Sequence, residues 1–179
     1  MKKIKFILVI ILLLLLGVLL VVWPIQPQTP LNALEKEYMN KGESILQYTH
    51  FIEQIDINSK ESLLFYLNGN ENVNCAVAVK KINGYKIVDV NGELEPYQDD
   101  WRAALYGSTY GKVKKWVYFG IIYDDAVEKV VWNNVEAIRF SALTMDMFYA
   151  IGNGPFEGQE YYLYDSDGNK LEYISYDNR

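Results

Sequence analysis

Two hydrophobic periods divide this chain. Met1 to Lys5 carries three lysines, and from Phe6 to Trp23 no residue is charged and almost all are Leu, Ile or Val. That uncharged run is 18 residues long. At 1.5 Å per helical residue it covers roughly 27 Å, close to the apolar core of a bilayer at about 30 Å. The pattern predicts a transmembrane signal anchor over 1–23. Lys2, Lys3 and Lys5 fit the cytoplasmic end and Trp23 the opposite lipid–water interface. The expected placement is the cell membrane, single-pass, with the N-terminus cytoplasmic and the C-terminal domain extracytoplasmic. Val21 to Pro27 offers no small-x-small cleavage site for a secretory signal, and no Cys follows the apolar run as a lipoprotein would need.

After the run the pattern changes. Pro24, Pro27 and Pro30 recur at every third position, which predicts a short stiff stalk over 24–30. Thr29-Pro30 reads as a helix start, with Thr as N-cap and Pro at the first helical position. Leu31, Leu34 and Tyr38 follow at helical spacing, and Lys41-Gly42 is a stop.

From about Tyr48 the period becomes two. Strands are predicted at Ser62–Leu67, Val73–Lys80 and Tyr85–Val90. Asn83-Gly84 is the hairpin signal between two of them, and Asn68-Gly69 and Asn91-Gly92 mark further turns. The region 31–94 thus reads as a helix plus a β-meander. Residues 95–111 read as a connector with a short helix, Trp101 to Tyr106, capped by Asp99 or Asp100 and ended by Gly107. Residues 112–179 read as a β module. Its central strand, Val113–Tyr123, is apolar on both faces. Further strands are expected at Glu128–Trp132, Val135–Ala142, Met145–Ile151, Gln159–Tyr164 and Lys170–Tyr176. Within Val135–Ala142, Glu136 shares a face with Ile138, Phe140 and Ala142, and Arg139 points the other way. Asp167-Gly168 turns the last hairpin. The fold class is mainly β (α+β): one N-terminal transmembrane helix, a short helix, then an antiparallel meander and sandwich-like β strands.

Charge narrows the partners. Of the 17 Lys and Arg, 3 lie in the anchor, and the remaining 14 face 23 Asp and Glu, a net near −9. An acidic surface argues against nucleic acid. Cys75 is the single cysteine, so no internal disulfide forms, and its neighbours Val73, Ala76, Val77 and Val79 predict burial.

Catalytic chemistry is thinly supplied. His50 is the only histidine. It cannot build a His-rich zinc site, and no motif around it brings a nucleophile and an orienting acid. Asp165-Ser166-Asp167-Gly168-Asn169 resembles a calcium loop in composition, but neither register places both its Gly and its terminal Glu. Asp99-Asp100 and Asp124-Asp125 read as caps and turns. No phosphate loop, dinucleotide fingerprint, nucleophile elbow or His-Glu-x-x-His occurs. No cofactor and no metal ligand is called.

Aromatics are the stronger lead. The chain has 15 Tyr and 4 Trp, and Tyr161, Tyr162, Tyr164, Tyr173 and Tyr176 fall on the last hairpin. Cross-strand aromatic pairs stabilise sheets, and an exposed strip of them binds a partner or a sugar chain.

The arrangement resembles small uncharacterised membrane-anchored proteins of Bacillus-like bacteria. The residues that carry the resemblance are Met1–Lys5 with the Leu-rich run, Val79–Lys86, Trp116–Tyr123 and the Tyr164–Lys170 hairpin. It implies a cell-envelope location and brings no site residue. The expected function is a non-catalytic extracytoplasmic domain binding an envelope protein or a cell-wall glycan. The rivals are an envelope hydrolase using His50 with a carboxylate, and an accessory subunit of a membrane complex held through its transmembrane helix.

Overall fold

A computed structural model describes residues 2–22, 27–39, 47–111, 114–132, 134–154 and 160–172, the side chains of 2–6 and 18–22 excepted. Its elements are α1 (Lys2–Val22), α2 (Pro30–Tyr38) and twelve strands: β1 (His50–Asn58), β2 (Glu61–Leu67), β3 (Val73–Lys81), β4 (Gly84–Leu94), β5 (Ala103–Tyr110), β6 (Lys115–Ile122), β7 (Lys129–Trp132), β8 (Val135–Glu136), β9 (Ile138–Ala142), β10 (Met145–Asn153), β11 (Tyr161–Tyr164) and β12 (Lys170–Leu171). They form three four-stranded antiparallel sheets, ordered β1-β2-β3-β4, β5-β6-β10-β9 and β12-β11-β7-β8.

The expected membrane anchor is corrected here. Among the described residues no helix is long and apolar enough to cross a membrane. The α1 side chains described run from Ile7 to Gly17, all exposed. This finding goes against the transmembrane helix over 1–23, the signal-anchor reading and the single-pass cell-membrane placement that followed from them. Trp23 and the side chains of Lys2, Lys3 and Lys5 lie outside the described residues.

Alternation along each strand stacks the layers. In β2 and β3, Leu63, Phe65, Val73, Cys75 and Val77 face the second sheet, against Val117, Phe119 and Ile121 of β6 and Met147 of β10. This core draws on both halves of the chain. The opposite face of the first sheet presents Leu64, Tyr66, Ala76 and Ala78 to Ala33 and Leu34 of α2. The small alanines let the helix lie close. The second sheet is covered on its other side too: Trp116, Tyr118 and Ile122 of β6, with Phe148 and Ala150 of β10, pack on Val130, Trp132 and Leu163 of the third sheet. A sheet buried on both faces needs apolar residues at every position, which is why β6 lacks alternation.

Local signals explain several boundaries. Asn32 N donates to Thr29 Oγ1 at 3.1 Å, and Pro30 opens α2 as the cap predicts. The helix ends at Tyr38, and Lys41-Gly42 lies outside the described residues. The segment before α2 is tied to the sheet, since Tyr85 N donates to Pro27 O at 2.7 Å.

Four local expectations change. Ala103–Tyr110 is a strand, not the capped helix expected over Trp101 to Tyr106, because every residue from Ala103 to Tyr110 finds a partner on β6. Asn91-Gly92 lies inside β4, where the register shifts opposite Val73 and Asn74. Gly92, with φ +153°, serves a bulge rather than a turn, and a Cβ there would meet Asn74 Cα at 2.5 Å. The β3–β4 loop centres on Ile82 and Asn83, one residue before the expected Asn83-Gly84, and it is Gly84 that takes a positive φ of 131°. The single strand expected over Val135–Ala142 is two. Ala137 N donates to Val130 O, after which the chain leaves the third sheet for the second. Glu136 therefore does not share a face with Ile138, Phe140 and Ala142.

One device shapes the face of the second sheet that packs on the third. Three glycines sit directly opposite aromatic residues: Gly107 opposite Tyr118, Gly120 opposite Phe148, and Gly152 opposite Trp116. A Cβ at Gly107 would lie 2.2 Å from Tyr118, at Gly120 2.3 Å from Phe148, and at Gly152 2.0 Å from Trp116. Each ring occupies the space of the missing side chain, which closes a gap a glycine would otherwise leave in a strand. Trp132 then stacks on Tyr118, and Tyr161 stacks on Trp132 at 5.3 Å and 7°.

Candidate functional site

That stack divides the last hairpin's tyrosines. Tyr161 and Leu163 point inward with Val130 and Trp132, and Tyr161 belongs to the stacked core. Alternation sends Tyr162 and Tyr164 to the outer face of the third sheet, beside Lys129 and Val131. Tyr173 and Tyr176 lie outside the described residues.

The outer face is built by register. Tyr164 is paired on one side with Lys129 and on the other with Lys170, so the three form one row across β7, β11 and β12. Tyr162 is paired with Val131, and Val131 with Glu136. Lys170 Nζ stands 3.4 Å above the Tyr162 ring, whereas Lys129 Nζ is 5.7 Å from the centre of the Tyr164 ring. Beside Tyr164 opens a cleft of about 580 Å³. It is lined by Lys129 and Val131 of β7, Glu136 of β8 and Tyr164 of β11, together with Glu128, Asn134, Asp165, Ser166 and Gly168. Its volume lies in the usual range for a ligand site, about 300–1,000 Å³.

Each charged group lining the cleft is held by a partner. Glu136 Oε2 is 3.1 Å from Lys129 Nζ, and Glu128 Oε2 is 3.7 Å from Arg139 Nη1. Arg139 also donates to the carbonyls of Val127 at 2.9 Å and Glu128 at 2.7 Å, and pairs with Asp146. It thereby fixes the backbone that leads into the cleft.

Asp165 folds its own loop. Its Oδ1 accepts from Asp167 N at 3.0 Å and Asn169 N at 2.8 Å, and its Oδ2 from Asn169 Nδ2 at 3.0 Å. The hydrogen bonds from Asn169 and from the turn's amides hold the carboxyl below its ordinary range. With Gly168 at φ +82°, these residues form a hairpin turn whose donors fill three of the carboxylate's acceptor sites. Among the described residues no group of three or more His, Cys, Asp or Glu could hold a metal ion.

The other residues singled out by sequence stand apart from this face. His50 opens β1 on the edge of the first sheet and is exposed, paired in register with Leu67. Cys75 is fully buried, and that burial pushes its thiol well above its ordinary range, with the charge of Asp89 adding to the shift. Asp124 pairs with Arg102 and accepts from Ala126 N at 2.9 Å, the role of a turn residue. A separate polar cluster seals the β4–β5 edge, where Asn91 Nδ2 donates to Asp89 and to Ser108, and Ser108 Oγ donates to Asp89.

Sequence reasoning missed Lys129, Val131, Glu128, Glu136, Asn134 and Ser166. The alternation of Lys129-Val130-Val131-Trp132 marks which residues share a face. It does not reveal that β7 pairs with β11, which lies about thirty residues further on. The chain matches no protein-family model, no curated protein and no solved structure.

Proposed function

We propose that the chain is a non-catalytic binding module whose ligand, a protein segment or a glycan, occupies the outer face of the third sheet. One observation carries the reading: a cleft of about 580 Å³ whose lining combines the Tyr164 ring and Val131 with charged and polar side chains, on the face of a sheet whose other side is packed. Rigid strands place these side chains, so little ordering is lost when a ligand binds. The packed layer beneath also matters, because a face backed by a stacked core holds its geometry.

The test is retention of the full chain on immobilised polysaccharides and peptides, with each polymer assayed for cleavage. At least one polymer is expected to retain the chain and remain uncleaved. Val131→Arg, which fills the cleft from a half-exposed position, is expected to abolish retention while far-UV circular dichroism is unchanged. Equal retention of the variant sinks the proposal. So does cleavage of a polymer that His50→Ala abolishes, since this favours the hydrolase.

A further inference from the structure

Resting on that binding reading, we infer that the cleft takes an uncharged, hydroxyl-rich ligand, a neutral oligosaccharide. The argument is the pairing of its charges. Lys129 faces Glu136, Glu128 faces Arg139, and the Asp165 carboxylate is occupied by three donors of its own turn. At the two ion pairs an incoming charge meets a group of its own sign within a few ångströms of the group of opposite sign, so the two Coulomb energies nearly cancel, and at Asp165 neutral amides already fill three of the carboxylate's acceptor sites. A hydroxyl meets no such conflict, because it both donates and accepts. Lys129 has three N–H donors and Glu136 about four acceptor sites, so each can add a hydroxyl without breaking the ion pair between them.

The rings point the same way. Tyr164 lies in the cleft with the Lys129 ammonium 5.7 Å from its centre, far enough to leave ring surface for the apolar face of a sugar. Lys170, at 3.4 Å, already covers a face of Tyr162. One tyrosine of the strip, Tyr164, is therefore the stacking platform, with Val131 extending it.

The experiment measures binding of the full chain to four probes by titration calorimetry: chitohexaose and maltoheptaose as neutral oligosaccharides, polygalacturonate as a polyanion and polylysine as a polycation. At least one neutral probe is expected to bind. Its Kd is expected to change less than about two-fold between roughly 50 and 500 mM salt, because no ion pair forms with the ligand. Tyr164→Ala is expected to weaken it about ten-fold, the equivalent of about 1.4 kcal/mol. Tyr97→Ala, an exposed tyrosine outside the cleft, is expected to leave it unchanged. A polyanion or polycation that binds in a Val131→Arg-sensitive and salt-sensitive manner overturns this inference while leaving the binding reading intact. Neutral binding indifferent to Tyr164→Ala, or no binding by either neutral probe, overturns it as well. If no polymer and no probe binds in a manner that Val131→Arg abolishes, the binding reading falls too.

Discussion

Replacing Gly152 by Ala adds a single methyl group to a half-buried strand position, and the Trp116 ring opposite has nowhere to put it. A Cβ at this position would lie 2.0 Å from Trp116 Cζ2, 2.4 Å from Cε2 and 2.8 Å from Cη2. Carbon atoms rest at about 3.5–4.0 Å, so the ring must retreat by roughly 1.5 Å. It is confined: Trp116 is only 2% exposed and its centre is 5.6 Å from that of Tyr118, edge to face. Tyr118 is in turn stacked against Trp132. Gly152 does not have a positive φ, so the backbone itself raises no objection to alanine. Overpacking of this kind costs about 1–3 kcal/mol, offset by about 0.4–1 kcal/mol from the reduced freedom of the unfolded chain. We expect a net loss of about 1–2 kcal/mol. In a protein of this length each 1 kcal/mol corresponds to about 2–4 °C in Tm. The assay is denaturant unfolding of the full chain, followed by tryptophan fluorescence and completed as a double-mutant cycle with Trp116→Leu. With the ring gone, Gly152→Ala should lose at least about 1 kcal/mol of its cost. A single variant within about 0.5 kcal/mol of the parent, or an additive cycle, refutes the reasoning.

Three further expectations follow from the same layers. Tyr161→Ala, which removes the end of the aromatic stack, is expected to destabilise by about 2–4 kcal/mol, whereas Tyr164→Ala on the outer face should change stability by under about 1 kcal/mol; equal effects in thermal unfolding would place both rings on one face. Leu34→Ala, fully buried between α2 and the first sheet, is expected to cost about 2–5 kcal/mol by chemical denaturation, and a loss under about 1 kcal/mol would mean the helix is not docked as described. Glu61→Gln tests the link between the first and second sheets, where Lys115 Nζ lies 2.7 Å from Glu61 Oε2. Burial alone would raise the Glu61 carboxyl, but hydrogen bonds from Lys115 and Asn58, with the charges of Lys115 and Lys81, bring it below its ordinary 4.5. A depressed carboxyl stabilises the fold above that ordinary value and stops doing so as pH falls through its lower folded-state value. The variant should therefore be about 1–2 kcal/mol less stable at neutral pH, with the gap closing as acid protonates the parent, and a gap that is constant with pH counts against the pair.

Much of the local structure was legible because local rules governed it. Thr29-Pro30 announced the start of α2, and Asn68-Gly69 and Asp167-Gly168 marked turns whose chemistry is complete within a few residues. Cys75 was readable as buried from its neighbours alone. Failures occurred where a distant partner overrode the local preference. The Ala-Ala-Leu-Tyr of β5 suits a helix, but eight successive pairings with β6 hold it extended. Asn91-Gly92 has turn composition, but β4 uses it to pass Asn74 closely. The run at α1 has the composition of a span, yet the helix described there is not long and apolar enough to cross a membrane.

The candidate site shows the same division. The sequence by itself determined that tyrosines crowd the last hairpin and that alternate ones share a face, because side-chain direction along a strand follows from backbone geometry alone. Only the tertiary structure decided which face is which. Trp132 offers its ring to Tyr161, and this turns Tyr161 into core and leaves Tyr164 outside. Antiparallel pairing of β7 with β11 then sets Lys129 beside Tyr164 and opens the cleft. Such pairings depend on how a whole sheet closes over its neighbour, and the free energy of burying that shared face belongs to no single segment of chain.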